Sequence, residues 1–248
     1  TVAGAGMKEI KTRIKSVEST KQITKAMELV SSSKFRKAKE SAESARPYFN
    51  TLYNTVQDIA KNTSNSRNVF LKERKVNNVC YIVIAGDRGL AGGYNSNILK
   101  AVIAHNKLGT GKVIPVGKKA KESLSKRGYE VIDYIESVEK CVYEDANRVA
   151  QAAMEAYKNG EVDEVNLVYT EFISALSQEP KIVKLLPVTI DNTNTEKEVK
   201  KGKAAVQYLP SADAVLGYVL PKYVSGSVYG AIAESFASEQ AARRTAME

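Results

Sequence analysis

Apolar positions in the first quarter of the chain recur at helical spacing. Ala38, Ala42, Ala45, Phe49, Leu52, Val56 and Ile59 follow alternating steps of four and three, the seam pattern of a coiled coil. Upstream, Ile10, Ile14, Val17, Ile23, Met27 and Val30 continue a looser stripe, interrupted by Thr20, Lys21 and Ser33. Pro47 falls inside the pattern. It predicts a kink or a restart, because proline lacks a backbone donor and crowds the preceding turn. Read as one element, residues 8–59 would span on the order of 78 Å. So long a helix requires a partner helix along most of its surface.

A different pattern follows a polar break at 62–68 (NTSNSRN). Residues 79–85 (VCYIVIA) form an apolar run of strand type, ended by the glycine-rich turn GDRGLAGGYNSN. Residues 95–107 read as a helix, with Asn95 or Ser96 as its N-cap. A strand at 113–116, a helix at 118–127 stopped by Gly128, and a strand at 130–135 come next. A helix at 143–158 closes on Asn159-Gly160, and strands at 165–169 and 182–186 complete the series. Strands alternating with helices predict a layered, largely parallel sheet.

Residues 191–203 are polar and read as part of a loop. A second terminal helix begins near Ser211 or Asp213, either of which can cap it, and Pro221 marks a kink. Beyond the proline it is slim, carrying Ala231, Ala233, Ser235, Ala237, Ser238, Ala241, Ala242, Thr245 and Ala246. Small residues let another backbone approach closely. The helical pattern reaches Met247-Glu248 without a cap, so the native chain is expected to continue. The fold class is therefore α/β. Residues 1–61 and 211–248 pair as a long antiparallel coiled coil, residues 69–190 form a Rossmann-like α/β domain at one end, and 191–210 form a loop.

Charge adds a partner class. Of 248 residues, 37 are Lys or Arg and 28 are Asp or Glu, a net charge of +9. Residues 8–46 hold eleven of the basic residues against five Glu. Such a concentrated excess invites an acidic partner. Duplex nucleic acid is the alternative partner, although the absence of Trp and of an aromatic ladder speaks against single strands. Cys80 and Cys141 have no paired spacing, which points to a reducing compartment. No apolar run approaches the roughly 20 residues that span a bilayer.

The candidate chemical motifs fail individually. Gly86, Gly89, Gly92 and Gly93 follow a strand and precede a helix, but their spacing fits neither nucleotide-binding pattern, and the acidic residue expected about 20 positions on is missing, the second strand ending in Gly117-Lys118. Asp87 and Arg88 read as paired locally or to a partner. Residues 109–112 (GTGK) precede a strand, which is not the context of a phosphate loop. The acidic residues are scattered, and His105 is the sole histidine. No catalytic residue, cofactor or metal site is expected.

Three separated segments carry a resemblance. Residues 7–39, with ITKAMELV at 23–30, resemble the opening helix of ATP synthase gamma subunits. DRGLAGGYN at 87–95 is similar to the family's DRGLCGG loop, with Ala91 in place of its frequent cysteine. ESFASEQAARRTAME at 234–248 resembles the family's C-terminal helix. The resemblance implies a non-catalytic central rotor shaft, with chemistry on the beta subunits. It implies a ring of alpha and beta subunits, an epsilon subunit and the membrane c-subunit ring as partners. It also implies a peripheral position on the cytoplasmic face of a bacterial membrane. The absence of a regulatory insert with a cysteine pair agrees with a bacterial type. Lys25, Met27 and Lys34 are expected near an acidic lever loop of beta, with Gln240 and Arg243 on the second helix. Tyr208 and Leu209 are candidate contacts of the foot with the membrane ring. Met27 lies 32 residues before Ile59 and Arg243 32 residues after Ser211, so an antiparallel pair with level ends would set them side by side.

Overall fold

The computed structural model describes residues 2–61, 68–107, 109, 111–174, 176–190 and 208–248, with side chains from residue 6 onward. All of the predicted break at 62–68 but Asn68, and residues 191–207 of the predicted loop, lie outside the described residues. Helix α1 (Val2–Lys61) runs unbroken through Pro47. Pro47 lies on an exposed face, where the carbonyl that loses its partner can be hydrated. A 3-10 turn (Val69–Leu71) leads to β1 (Val79–Ile84). Then come α2 (Tyr94–His105), β2 (Lys112–Val116), α3 (Lys118–Ser125) and β3 (Glu130–Val131). The chain continues with α4 (Tyr143–Lys158), β4 (Glu164–Phe172), β5 (Gln178–Leu186) and α5 (Ala212–Met247).

The strand order is β3-β2-β1-β4-β5, with β5 antiparallel to β4 and the other pairs parallel. β3 is shorter than predicted; Ile135 adds only an isolated bridge to Val116. β1 is buried on both faces, which explains its continuous apolar run. Cys80, Ile82 and Ile84 pack with α4, α5 and the base of α1. Tyr81 and Val83 point the other way, into a second core with α2 and α3.

α1 and α5 form the predicted antiparallel pair. Tyr53 meets Tyr223 at 5.9 Å between ring centroids. The Phe49 ring stands between two glycines one turn apart. A Cβ on Gly226 would lie 2.9 Å from it and one on Gly230 3.0 Å. Extending this register one for one sets Arg243 opposite residue 33 or 34, and about two turns from Met27. The side-by-side placement of Met27 and Arg243 is therefore corrected. The helix ends are not level, since α5 starts more than a turn below Ile59.

The upper seam also differs from the hydrophobic reading. Ile23 and Val30 are 58% and 55% exposed, whereas Glu28 and Ser31 are buried. The three-and-four rhythm of the lower seam continues through Lys21, Thr24, Glu28, Ser31 and Phe35. Geometry sets the inward face there, and hydropathy misplaces it. Farther out, Met7, Ile10, Ile14 and Val17 resume an apolar stripe that is exposed.

The two glycines make a paired prediction. Gly217, also in α5, is exposed with open space where a Cβ would stand. Gly217→Ala should stabilise the chain by about 1 kcal/mol through helix propensity. Gly226→Ala should show no such gain, because displacing the Phe49 ring costs about 1–3 kcal/mol. Urea midpoints measure both, and an equal rise in the two variants would disprove the packing account.

Candidate functional site

In an open sheet of this kind, ligands enter a crevice beyond the carboxyl ends of the strands, where the strand order reverses. Here that point lies between β1 and β4, because β2 flanks β1 on one side and β4 on the other. The glycine-rich loop leaves β1 at this end. The C-terminal half of α5 fills the crevice.

Four side chains of α5, Ser235, Ser238, Glu239 and Arg243, make the contact. Ser235 Oγ accepts the Thr170 backbone N–H of β4 at 3.0 Å, and Ser238 Oγ donates to the Thr170 carbonyl at 3.1 Å. Tyr94, at the start of α2, places its hydroxyl 3.1 Å from the Ser235 carbonyl and 3.0 Å from Ser235 Oγ. Burial holds the Tyr94 phenol above its ordinary range, and the Glu239 carboxylate adds to the shift, so the ring is a neutral partner. Glu239 reaches the loop itself, and a Cβ on Gly86 would lie 2.7 Å from its Oε1. A Cβ here would push the carboxylate aside.

Arg243 covers the carboxylate. Its Nη2 donates to Glu239 Oε1 at 2.5 Å and to the Gly89 carbonyl at 3.3 Å. The two side chains are only 10% and 5% exposed. Burial holds the Glu239 carboxyl above the ordinary carboxylate range. Arg243 pulls it down, while Asp87 and Glu139 push it up.

The glycine-rich loop is organised by its own polar groups. Asn95 is not a helix cap, because α2 starts at Tyr94 behind Gly93 without a side-chain cap. Asn95 Oδ1 instead accepts the Gly86 N–H at 2.8 Å, and its Nδ2 donates to the Arg88 carbonyl at 3.0 Å. Asp87 accepts Ser137 Oγ at 2.9 Å and the Val138 N–H at 3.2 Å. Leu90 is held at φ 61 with its side chain 65% exposed, beside exposed Arg88. Cys80, below the loop, has its thiol pushed up to about 12 by burial and is no nucleophile.

The predicted contact residues divide into two groups. Lys25 and Lys34 are exposed or half-buried on α1 and form ion pairs with Glu28 at 2.8 Å and Glu139 at 2.7 Å. Met27 is half-buried beside them. Gln240 and Arg243 are buried, and Arg243 faces inward to the loop. Leu209 is 75% exposed and Tyr208 half-buried below α5, separated from the collar by the length of that helix. Sequence reasoning missed Tyr94, Thr170, Ser235, Ser238 and Glu239. A signal existed: Ser235, Ser238 and Glu239 share one face of an otherwise bland helix, with Arg243 one turn on.

Comparisons place this architecture. A family model described as ATP synthase matches residues 6–248. The ATP synthase gamma chain of Alkaliphilus metalliredigens is 44% identical over 248 residues, covering 99% of this chain and 86% of that one. That of Ruminococcus albus is 46% identical, covering 98% and 85%. The chain belongs to the ATP synthase gamma-chain family. A sodium-ion-specific gamma chain of Acetobacterium woodii is 41% identical over 258 residues, covering 98% of this chain and 85% of that one. The mitochondrial ATP synthase central stalk of Tetrahymena thermophila matches with a TM-score of 0.66 and 27% identity, over 91% of this chain and 97% of that one. A Euglena gracilis mitochondrial rotor chain, 18% identical with a TM-score of 0.50 over 90% of each chain, shares the fold. In this gamma chain no helix among the described residues is long and apolar enough to cross a membrane.

The crevice contact is testable in the isolated chain. Tyr94→Phe removes the hydroxyl's bonds to Ser235, whose carbonyl keeps its helical partner, and should cost about 0.5–1.5 kcal/mol. A denaturant midpoint equal to wild type would show that this contact contributes nothing.

Proposed function

We propose that this gamma chain is the non-catalytic rotor shaft of an ATP synthase. It turns inside a ring of alpha and beta subunits, and its foot stands on the membrane c-subunit ring and binds the epsilon subunit. The complex sits at the cytoplasmic face of a bacterial membrane, with this subunit peripheral to it. One observation carries the reading: the crevice where an α/β domain of this topology would bind a small ligand is filled by the chain's own C-terminal helix. The domain is thereby a mount for the shaft.

The contact with the ring follows from charge. Lys25, Met27 and Lys34 form the outward part of the surface that meets an acidic lever loop of beta, while Gln240 and Arg243 support it from within. Ion pairs as exposed as Lys34–Glu139 are worth at most about 1 kcal/mol. A passing acidic loop can therefore exchange with the chain's own carboxylates at low cost. A rotating contact needs such a surface, because a deep apolar lock would resist turning. Tyr208 and Leu209 lie at the opposite end, where the foot meets the membrane ring.

Two measurements check this. In the assembled enzyme, Met27→Lys should lower the ions moved per ATP hydrolysed, while the unfolding midpoint of the chain changes by no more than about 0.5 kcal/mol. A normal ratio would refute the assigned contact. Isothermal titration of the isolated chain with ATP, ADP and NAD should show no tight binding. Micromolar affinity would mean that the crevice is open, contrary to the proposed role.

A further inference from the structure

The crevice holds a carboxylate that comes from the chain itself. Glu239 enters from α5, lies against Gly86, and is covered by Arg243, which also reaches the Gly89 carbonyl. From there, polar links run around the shaft. Asp87 ties the glycine-rich loop to Ser137 and Val138 of the loop after β3. Glu139 of that second loop pairs with Lys34 on α1. α1 and α5 pack on each other and close the circuit.

We propose that Glu239 is a positioning residue for torque transfer. It acts as an internal ligand that pins the crevice of the foot to the shaft, so that both turn as one body. The inference rests on the rotor reading above. Its physical basis is the kind of contact at this level of α5. Ala237 and Ala241 are buried there, but small apolar side chains make shallow, non-directional contacts that resist separation better than sliding. Hydrogen bonds are directional. Removing one partner of a buried ion pair strands the other charge. The Glu239–Arg243 pair lies within α5; what crosses to the foot is the Glu239 carboxylate against Gly86 and the Arg243 bond to the Gly89 carbonyl, beside the Ser235 and Ser238 bonds to Thr170, whereas Lys34–Glu139 is open to solvent. Glu239 fixes the loop side of this attachment by filling the space at Gly86 and holding Arg243 on Gly89.

The test uses the assembled ATP synthase in inside-out vesicles and the isolated full chain. Glu239→Ala should lower the ions moved per ATP hydrolysed by about fivefold, with hydrolysis within about twofold of wild type. In the isolated chain, amide exchange of residues 86–93 should rise about tenfold while β1 stays protected. Gly86→Ala should act alike, because its methyl displaces the same carboxylate. The double variant should be no worse than either single one, since Glu239→Ala vacates the space that the methyl needs. An unchanged transport ratio, a parallel fall of hydrolysis and transport, or additive losses in the double variant overturns the pin. If Glu239→Ala fails to assemble, Glu239→Gln decides, because it keeps the shape and one acceptor for Arg243. A loss of about twofold in the ratio supports the pin, and no loss overturns it. A wild-type complex without transport would count against the rotor reading instead. The exchange measurement would still decide the pin, since unchanged exchange at 86–93 overturns it.

Discussion

One helix has to satisfy two partners. α5 packs its length against α1 and, at the same time, against the sheet and the glycine-rich loop. Its buried residues consequently lie all round it, from Leu216, Leu220 and Val224 to Ala231, Ser235, Ala237, Ser238 and Ala241. A helix enclosed in this way has no polar face to speak of. Its side chains must also be small, because α1 and β4 approach from different sides. The Phe49 ring fits only because Gly226 and Gly230 offer no side chains to it.

Small side chains create a second problem, which the polar residues resolve. A stripe of alanines can shift by a turn and still bury the same area. Ser235 and Ser238 remove that freedom by bonding the N–H and carbonyl of one residue, Thr170. Arg243 adds a bond to the Gly89 carbonyl, and Glu239 packs against Gly86. Isolated buried charges are costly and buried pairs are only modestly favourable. Their value here lies in selecting one register. The same groups close the crevice, so the feature that positions the shaft also removes the place where a nucleotide would bind.

Much of this was legible in the chain. The lower coiled-coil seam, the alternating strands and helices, and the Ser211 cap, which accepts the Ala214 N–H at 3.2 Å, follow from spacing and turn chemistry. The upper seam was misplaced because Ile23, Met27 and Val30 are the apolar residues there, while Glu28 and Ser31 face inward. Hydropathy ranks residues one at a time, but a long helix pair constrains them through a shared rotation along its axis. Asn95, like Ser96, reads as a cap because capping signals are local. Its actual partners, Gly86 and Arg88, lie back in the preceding loop. The crevice contacts span from 65 to 154 positions in sequence and leave no local trace. Only the spacing of Glu239 and Arg243 on one helix face hinted at them.

The two helices of the shaft are therefore not equivalent. At this level α5 meets the foot through the buried Ser235 and Ser238 bonds to Thr170 and the Arg243 bond to the Gly89 carbonyl, while α1 meets it through the exposed Lys34–Glu139 pair and the Phe35–Phe172 contact, 5.2 Å between ring centroids. An exposed pair contributes about 0–1 kcal/mol. A twist applied to the foot reaches α5 through these bonds and α1 through Val56 and Ile59, which pack in the same core, and the seam where two glycines grip the Phe49 ring ties the helices together. Of the basic residues on α1, Lys34 is engaged with the foot, while Lys25 is paired with Glu28 on its own helix.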